Sequence, residues 1–330
     1  MLLSDIRRVA ILCPVGMTGG PEALHQLSYV LNAIGVRSSM VYVGPENAVE
    51  LQTHRIVCRR PQAPRPMAYY GEYDPQVSAE IPLDAQTLVV LPEAYAARHG
   101  GFPNARVAIW WLSVDNAFSA QLPLGEPAVR EAIARAPHVT HLYQSVYARE
   151  FLRDAGAVQL HALGDHTSAL FARQTIEAPP PEPFCTYNGA KGAELAQTFF
   201  AGQPDLQAIA LKGFSKPQLR DLFRSRLLYV DFGHQPGRDR MPREAAASGG
   251  LIFVRRHGAG AHYDDFAIPD FFKFDLDDVT SGSLAERLAQ VVAAPATYWS
   301  QQAAFRMSIA WEKATFTQQV MRLFGQREPV

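Results

Sequence analysis

Arg238, Asp239, Arg240 and Glu244 crowd one short stretch, GHQPGRDRMPREAAASGG. Two guanidinium groups can neutralise a phosphate, and a neighbouring carboxylate can accept a hydroxyl proton or orient one of the arginines. Such chemistry needs a fixed frame, and the flanking residues supply one. Leu227, Leu228, Tyr229 and Val230 form an apolar run of β-formers, as a strand buried on both faces requires. Asp231, Gly233, Pro236 and Gly237 break that run. Pro242 is expected as a first helical residue, where its missing N–H has no intrahelical partner. Residues 243–247 continue the helix, Gly249 and Gly250 stop it, and residues 251–254 (LIFV) open the next strand. Ligands of open α/β sheets gather beyond the strand ends, beside helix N-termini that favour anions. The four charged residues therefore fall where a phosphorylated ligand would be held.

Other candidates share that predicted edge. Gly16, Gly19 and Gly20 sit in the turn after the first strand, but their spacing does not make the G-x-G-x-x-G dinucleotide fingerprint. Gly16 suits a turn, whereas Gly19 and Gly20 would allow a substrate to approach the backbone closely. Ser113, Asp115 and Asn116 follow the strand at 107–112, although these types also serve in turns and N-caps. His138, His141, His161 and His166 lack metal-ligand spacing on any one helix face. His257, His262, Asp264 and Asp265 share a loop, with a spacing too loose to define a metal site. Asp275-Leu276-Asp277 matches the D-x-D pattern of metal-dependent sugar transferases, yet it stands where a helix must begin, and acidic residues favour that position.

The elements that carry these residues run through the whole chain. Residues 8–13 (RVAILC) read as a strand, followed by a helix whose Ala23, Leu24, Leu27, Val30, Leu31 and Ile34 share a face. Residues 39–43, 86–91, 107–112 and 141–144 read as further strands, and 146–155 as a helix. Residues 59–76, rich in Pro, Arg and Tyr and without period, read as a loop. Prolines at 179, 180, 181 and 183 mark a stiff linker. A second α/β pattern starts there: strand 184–187, loop 188–192, a helix through Leu195, Phe199 and Phe200, strand 207–211, loop 212–214 and helix 218–226. A helix through Leu284, Leu288 and Val291 and a long one over 298–324 end the chain, and residues 327–330 are expected to fray.

At 330 residues there is room for two cores, and 48% apolar with 19% charged residues suits a globular protein. A net charge of −1 argues against nucleic-acid binding through bulk positive charge. Cys13, Cys58 and Cys185 fit neither a disulfide framework nor a zinc pattern, which points to a reducing compartment. Arg7 and Arg8 follow the first apolar residues, unlike a signal peptide, and no apolar run approaches the ~20 residues of a membrane span. A cytoplasmic location follows as the expectation, with peripheral membrane contact left open.

Two α/β halves, a linker and a returning helix resemble the GT-B-type glycosyltransferases over nearly the whole chain. The resemblance is carried by MTGGPEALHQLSYVLNAIGV, YNGAKGAEL and YVDFGHQPGRDRMPREAAASGGLIF. It implies two Rossmann-like domains: 1–176, joined by the returning helix at 298–330, and 177–297. In sugar-nucleotide enzymes of this type a lysine after the first strand of the second domain contacts the diphosphate, and Asn188 to Gly192 with Lys191 looks like that element. A glutamate opening the following A-x-x-G helix holds the ribose hydroxyls, and Glu244 is similar to it. One departure stands out: the first glutamate of the E-x7-E motif, eight residues before Glu244, is Pro236 here.

The resemblance implies transfer of a sugar from a nucleotide-diphosphate donor to a glycan, lipid-linked or small-molecule acceptor. The donor would lie on the second domain, with base and ribose near Gly213 and Glu244, and with Lys191, Arg238 and Arg240 around the diphosphate. Asp239 would accept a sugar hydroxyl or orient an arginine. The acceptor would enter from the first domain near Gly19, Gly20, Glu22, Ser113 and Asn116, with Asp115 as general base. The donor is a co-substrate, and neither a resident cofactor nor a metal is required. An epimerase or phosphorylase on the same scaffold, and a non-catalytic subunit that binds a glycan or a partner enzyme, are the alternatives; Pro236 keeps the last of them open.

Overall fold

The computed structural model describes residues 3–44, 49–118, 125–172 and 177–325. Residues 327–330, expected to fray, lie outside that set. The chain forms two compact units, Met1–Asp165 with Ala314–Val330, and His166–Lys313.

The first unit is built on β1 (Arg8–Pro14) and β2 (Arg37–Val43), joined through α1 (Gly19–Ala33). Three short strands, β3 (Val49–Gln52), β4 (Arg55–Cys58) and β5 (Glu80–Pro82), pair antiparallel in a small separate sheet. The main sheet continues with β6 (Thr87–Pro92), β7 (Arg106–Trp111), β8 (Thr140–Tyr143) and β9 (Gln159–Ala162). Its order is β2-β1-β6-β7-β8-β9, and every neighbouring pair is parallel. Successive side chains of a strand point to opposite faces, so each strand feeds two cores. Val9, Ile11, Cys13 and Trp110 pack on the α1 side. Ala10, Leu12, Ile109 and Trp111 pack on the other, under α2 (Glu126–Arg135) and α3 (Val146–Asp154).

Residues 59–76 contain more than the aperiodic loop expected from composition. Arg65–Tyr73 forms a 3-10 helix that buries Met67, Tyr70 and Tyr73. The segment kinks at Tyr70, with φ −99° and ψ 18°, so its two short turns carry no continuous period for a search at 3.6 or 2 to find.

The second unit repeats the plan with β10 (Glu182–Asn188), α4 (Ala193–Ala201), β11 (Ala208–Leu211), α5 (Lys216–Ser225), β12 (Arg226–Asp231), α6 (Arg240–Ala247), β13 (Leu251–Arg255) and β14 (Lys273–Phe274). The parallel order is β11-β10-β12-β13-β14. α7 (Leu276–Ser281) starts from a capping box in which Asp275 and Asp278 satisfy each other's backbone N–H groups. The D-x-D tripeptide is thus a helix start. α8 (Ser283–Ala293) and α9 (Pro295–Gln301) precede α10 (Ala303–Phe324). The single helix expected over 298–324 is therefore two, separated at Gln302, whose buried amide bonds both the N–H and the C=O of Ile252 at 3.1 and 2.8 Å. The last turns of α10 belong to the first unit, where Phe316, Val320, Leu323 and Phe324 join the α1-side core. Phe316 stacks on Trp110, centroids 6.2 Å apart. Burying one such phenyl ring contributes roughly 1.5–3 kcal/mol, enough to hold the helix end in place.

Candidate functional site

On the second unit the loops after β10, β11 and β12 are pressed together. The Asn188 carboxamide accepts from the N–H groups of Ala190 and Lys191 at 2.9 and 3.1 Å, so this side chain shapes the loop that presents the lysine. Gly189 N–H donates to the Leu211 carbonyl at 3.1 Å, tying the loop to the end of β11 and to Lys212-Gly213. Gly192 has φ +68°, and a Cβ there would meet the Phe232 carbonyl carbon at 2.6 Å; a Cβ on Gly233 would meet the Lys191 Cβ at 2.9 Å. Only glycine permits that approach, and it lays Lys191 against the loop after β12.

The pairing that results is Lys191 Nζ with Asp239 Oδ2 at 2.5 Å. Asp239 is the N-cap of α6, yet its side chain makes no capping bond. The reason lies in the register of the helix. α6 begins at Arg240, two residues earlier than the sequence suggested, which puts Pro242 at the third helical position. The N–H there is a usual partner of a capping side chain, and proline has none. The Asp239 carboxylate is thereby turned to Lys191. Burial pushes its carboxyl above the ordinary range, and the Lys191 ammonium pulls it part of the way back.

Behind this pair lies a buried polar core. Tyr229 donates to Asp231 Oδ2 at 2.7 Å, and Asp231 Oδ1 accepts from Gly233 N–H at 2.9 Å. Burial first, then the charges of Asp231, Asp239 and Glu244, push the Tyr229 hydroxyl well above its ordinary value. Asp239 and Glu244 therefore act on one hydroxyl group, and Glu244 is buried one turn into α6. Lys191 thus meets Asp239 at the start of α6, where Arg240 is the first helical residue and Glu244 lies one turn further on. Gly213 is close in the fold, with φ +78° and open space beside it.

Arg238 is placed differently. Its Nη2 donates to Glu312 Oε1 at 3.0 Å, and Arg243 Nη1 donates to Glu312 Oε2 at 3.1 Å. The same Glu312 oxygen accepts from the N–H and hydroxyl of Thr167, both at 2.9 Å. Arg243 also grips the loop's backbone, donating to the Arg238 carbonyl at 2.9 Å. With Arg243 fully buried and Glu312 5% exposed, this lock fixes the shape of residues 238–240. Glu312 could have been noticed in the sequence: it falls in register with Phe305, Ile309, Phe316 and Val320, an acid on an apolar helical face.

On the first unit Gly19 and Gly20 are the opening residues of α1, and Gly20 has open space around it. Glu22 is buried and accepts from the Tyr73 hydroxyl at 3.1 Å. His25 bonds Pro21 O and the Tyr42 hydroxyl at 2.6 and 2.9 Å, and burial lowers its pKa against the opposing pull of the Pro21 carbonyl and Glu22. Ser113, Asp115 and Asn116 lie just past β7, with Tyr147 donating to Asp115 Oδ1 at 3.4 Å. The Asn116 amide donates to Glu93 Oε1 at 3.1 Å. Glu93, first residue after β6, was not singled out from the sequence; its place directly behind the apolar run TLVVLP was the available signal.

Among the described residues no group of three or more His, Cys, Asp and Glu is placed to hold a metal ion, and no helix is long and apolar enough to cross a membrane.

No protein-family model and no curated protein sequence matches the chain. Solved structures do. The sucrose-phosphate synthase of Thermosynechococcus elongatus is 14% identical, with a TM-score of 0.65 over 96% of this chain and 98% of its own. Anabaena HepE, solved in complex with UDP, is 9% identical with a TM-score of 0.62 over 96% and 98%. The catalytic domain of starch synthase IV from Arabidopsis thaliana, bound to ADP and acarbose, is 10% identical with a TM-score of 0.50 over 96% and 99%. The fold is of the GT-B glycosyltransferase type, with two Rossmann-like domains.

Proposed function

We propose that the protein transfers a sugar from a nucleotide-diphosphate donor to a hydroxyl-bearing acceptor. The observation that carries this reading is the Lys191–Asp239 pair at the N-terminus of α6, on the carboxyl edge of the second sheet of a GT-B fold. Two similar structures hold a bound nucleoside diphosphate, UDP in one and ADP in the other, which supports a ligand of that class.

In the proposed reaction the bond between the anomeric carbon and the diphosphate oxygen breaks, and the acceptor oxygen takes its place on that carbon. Lys191, Arg240 and the positive N-terminal end of α6 stabilise the departing negative charge. Glu244 accepts from the ribose hydroxyls, and Gly213 leaves room for the nucleoside. Asp239 aims the Lys191 ammonium. Arg238, drawn to Glu312, braces the loop from behind. Gly19, Gly20, Glu22, Ser113 and Asn116 form the acceptor side, and Asp115 takes the acceptor proton. A saccharide, a glycolipid or a small alcohol suits this role, and the charge is neutralised without a metal.

Incubation with a nucleotide sugar, with and without candidate acceptors and with and without a chelator, tests the proposal. Acceptor-dependent release of nucleoside diphosphate that survives chelation is the expected result. Isomerised donor without an acceptor would establish an epimerase instead. No donor binding at saturation would leave a non-catalytic subunit, consistent with Pro236 at the glutamate position.

A further inference from the structure

We propose that Glu93 is a positioning residue of the first unit: its buried carboxylate, in the charged form, tethers residues 112–116 at the carboxyl edge of the sheet, and protonation releases them. Glu93 is 3% exposed. Its Oε2 accepts from the Leu112 N–H and its Oε1 from the Asn116 side-chain amide, both at 3.1 Å. The N–H groups of Ser113 and of Glu93 itself also favour the charged form. As formed, each of these contacts presents an N–H to the carboxylate, and an ionised carboxylate is acceptor only, so the hydrogen-bond pattern suits the anion while burial opposes it. A proton on Glu93 would face a donor and break the arrangement.

Among the described residues no cation is among the causes acting on this charge. Burial dominates and pushes the Glu93 carboxyl up to about 7, with the N–H donors acting in the opposite direction. The titratable and charged groups on its own 3-10 segment are Tyr95, Arg98 and His99, and on the facing segment Asp115. β7 brings Arg106 at its far end, paired with Asp5, while α2 brings the ion pairs Arg130–Glu126 and Arg135–Glu131. None of these charges is among the causes acting on Glu93. The tether therefore switches near neutrality, where a modest change of pH converts acceptor to donor. Its bearing on catalysis rests on the function proposed above, since residues 113–116 carry Ser113, Asp115 and Asn116; the tether itself does not.

Near-UV circular dichroism of the full chain, from about pH 5 to about pH 9, reads the adjoining Trp111, and hydrogen exchange of the peptide containing Leu112 reads the tether directly. Trp111 also donates to His141, but burial lowers His141 to about 4, outside this range. The expected result is one transition with a midpoint near 7 and loss of Leu112 protection on its acid side, both absent in Glu93→Gln. His99 is unchanged in that variant and so cannot account for the loss. Asn116→Ala, a change at an exposed residue, is expected to move the midpoint upward by a few tenths of a unit to about one unit, because a donor favouring the anion is removed. A flat wild-type profile, the same transition in Glu93→Gln, or an unmoved midpoint in Asn116→Ala would overturn the proposal. None of these readouts needs a donor or an acceptor, so a protein without transferase activity that still shows the transition would refute the proposed function and leave the tether standing.

Discussion

Asp239 stands at the N-cap of α6, yet its carboxylate lies 2.5 Å from the ammonium of Lys191, 48 residues earlier in the chain. The pair joins the loop after β10 to the helix after β12, and both partners keep exposed surface, 46% for Lys191 and 21% for Asp239. With the lysine half exposed, the pair adds little stability, ~0–1 kcal/mol. A capping Asp turned away from its helix toward a neighbouring cation suits ligand binding better than folding.

Glu312→Ala should be among the most destabilising single changes in the second unit. It leaves the fully buried Arg243 guanidinium without its carboxylate. Breaking one side of a buried pair costs about 3–5 kcal/mol. Urea denaturation followed by circular dichroism measures it, and a loss below about 1 kcal/mol would mean that Glu312 behaves as a surface acid.

Gly192→Ala should cost more than a loop substitution ordinarily does. The residue sits at φ +68°, and the added methyl would press on the Phe232 carbonyl carbon at 2.6 Å. The left-handed conformation alone costs roughly 1–2 kcal/mol, and the overlap adds to it. Donor affinity should fall too, because relief of the overlap moves Lys191. Unchanged stability and affinity would show that the two loops are not held by this contact.

Stability should depend on pH through Glu93. Its folded pKa of about 7 lies above the ordinary 4.5, so between those values the folded chain holds a proton that the unfolded chain has released. Stability therefore falls as pH rises through this window, by at most about 3 kcal/mol. Glu93→Gln should remove that slope, and denaturation midpoints at a series of pH values would show it. A slope of the same size in the variant would assign it to other groups.

Parallel strands were readable where they are runs of β-formers followed by a loop with glycine or proline, as in RVAILC, TLVVLP and LLYV. The short strands β3, β4 and β5 were not, since three or four residues with exposed positions show no decisive alternation. β9 (QLHA) lies at the sheet edge, half-buried, and looks like a turn in sequence. In the candidate site, the placement of Lys191 on the loop after β10 and of Glu244 on the helix after β12 was legible from the glycines and helix start around them. Glu93 and Glu312 were not, because their meaning depends on partners far along the chain. Glu312 meets Arg243 across 69 residues, and Glu93 meets Asn116 across 23. The same distance hid the role of Arg238. By type it belonged with the phosphate ligands, but α10 brings an acid to it.

Binding of a panel of UDP-, GDP-, CMP- and ADP-sugars to the full chain, by thermal shift and then calorimetry, tests the central claim most directly. At least one donor should raise the melting temperature of the wild type, as any ligand specific to the folded state must. Lys191→Ala and Glu244→Ala should each weaken that donor by roughly 1.5–3 kcal/mol, or about ten- to 150-fold, and Lys191→Ala should do so with little loss of stability in its absence. Equal affinity in wild type and both variants would contradict the assignment of the donor to the carboxyl edge of the second sheet.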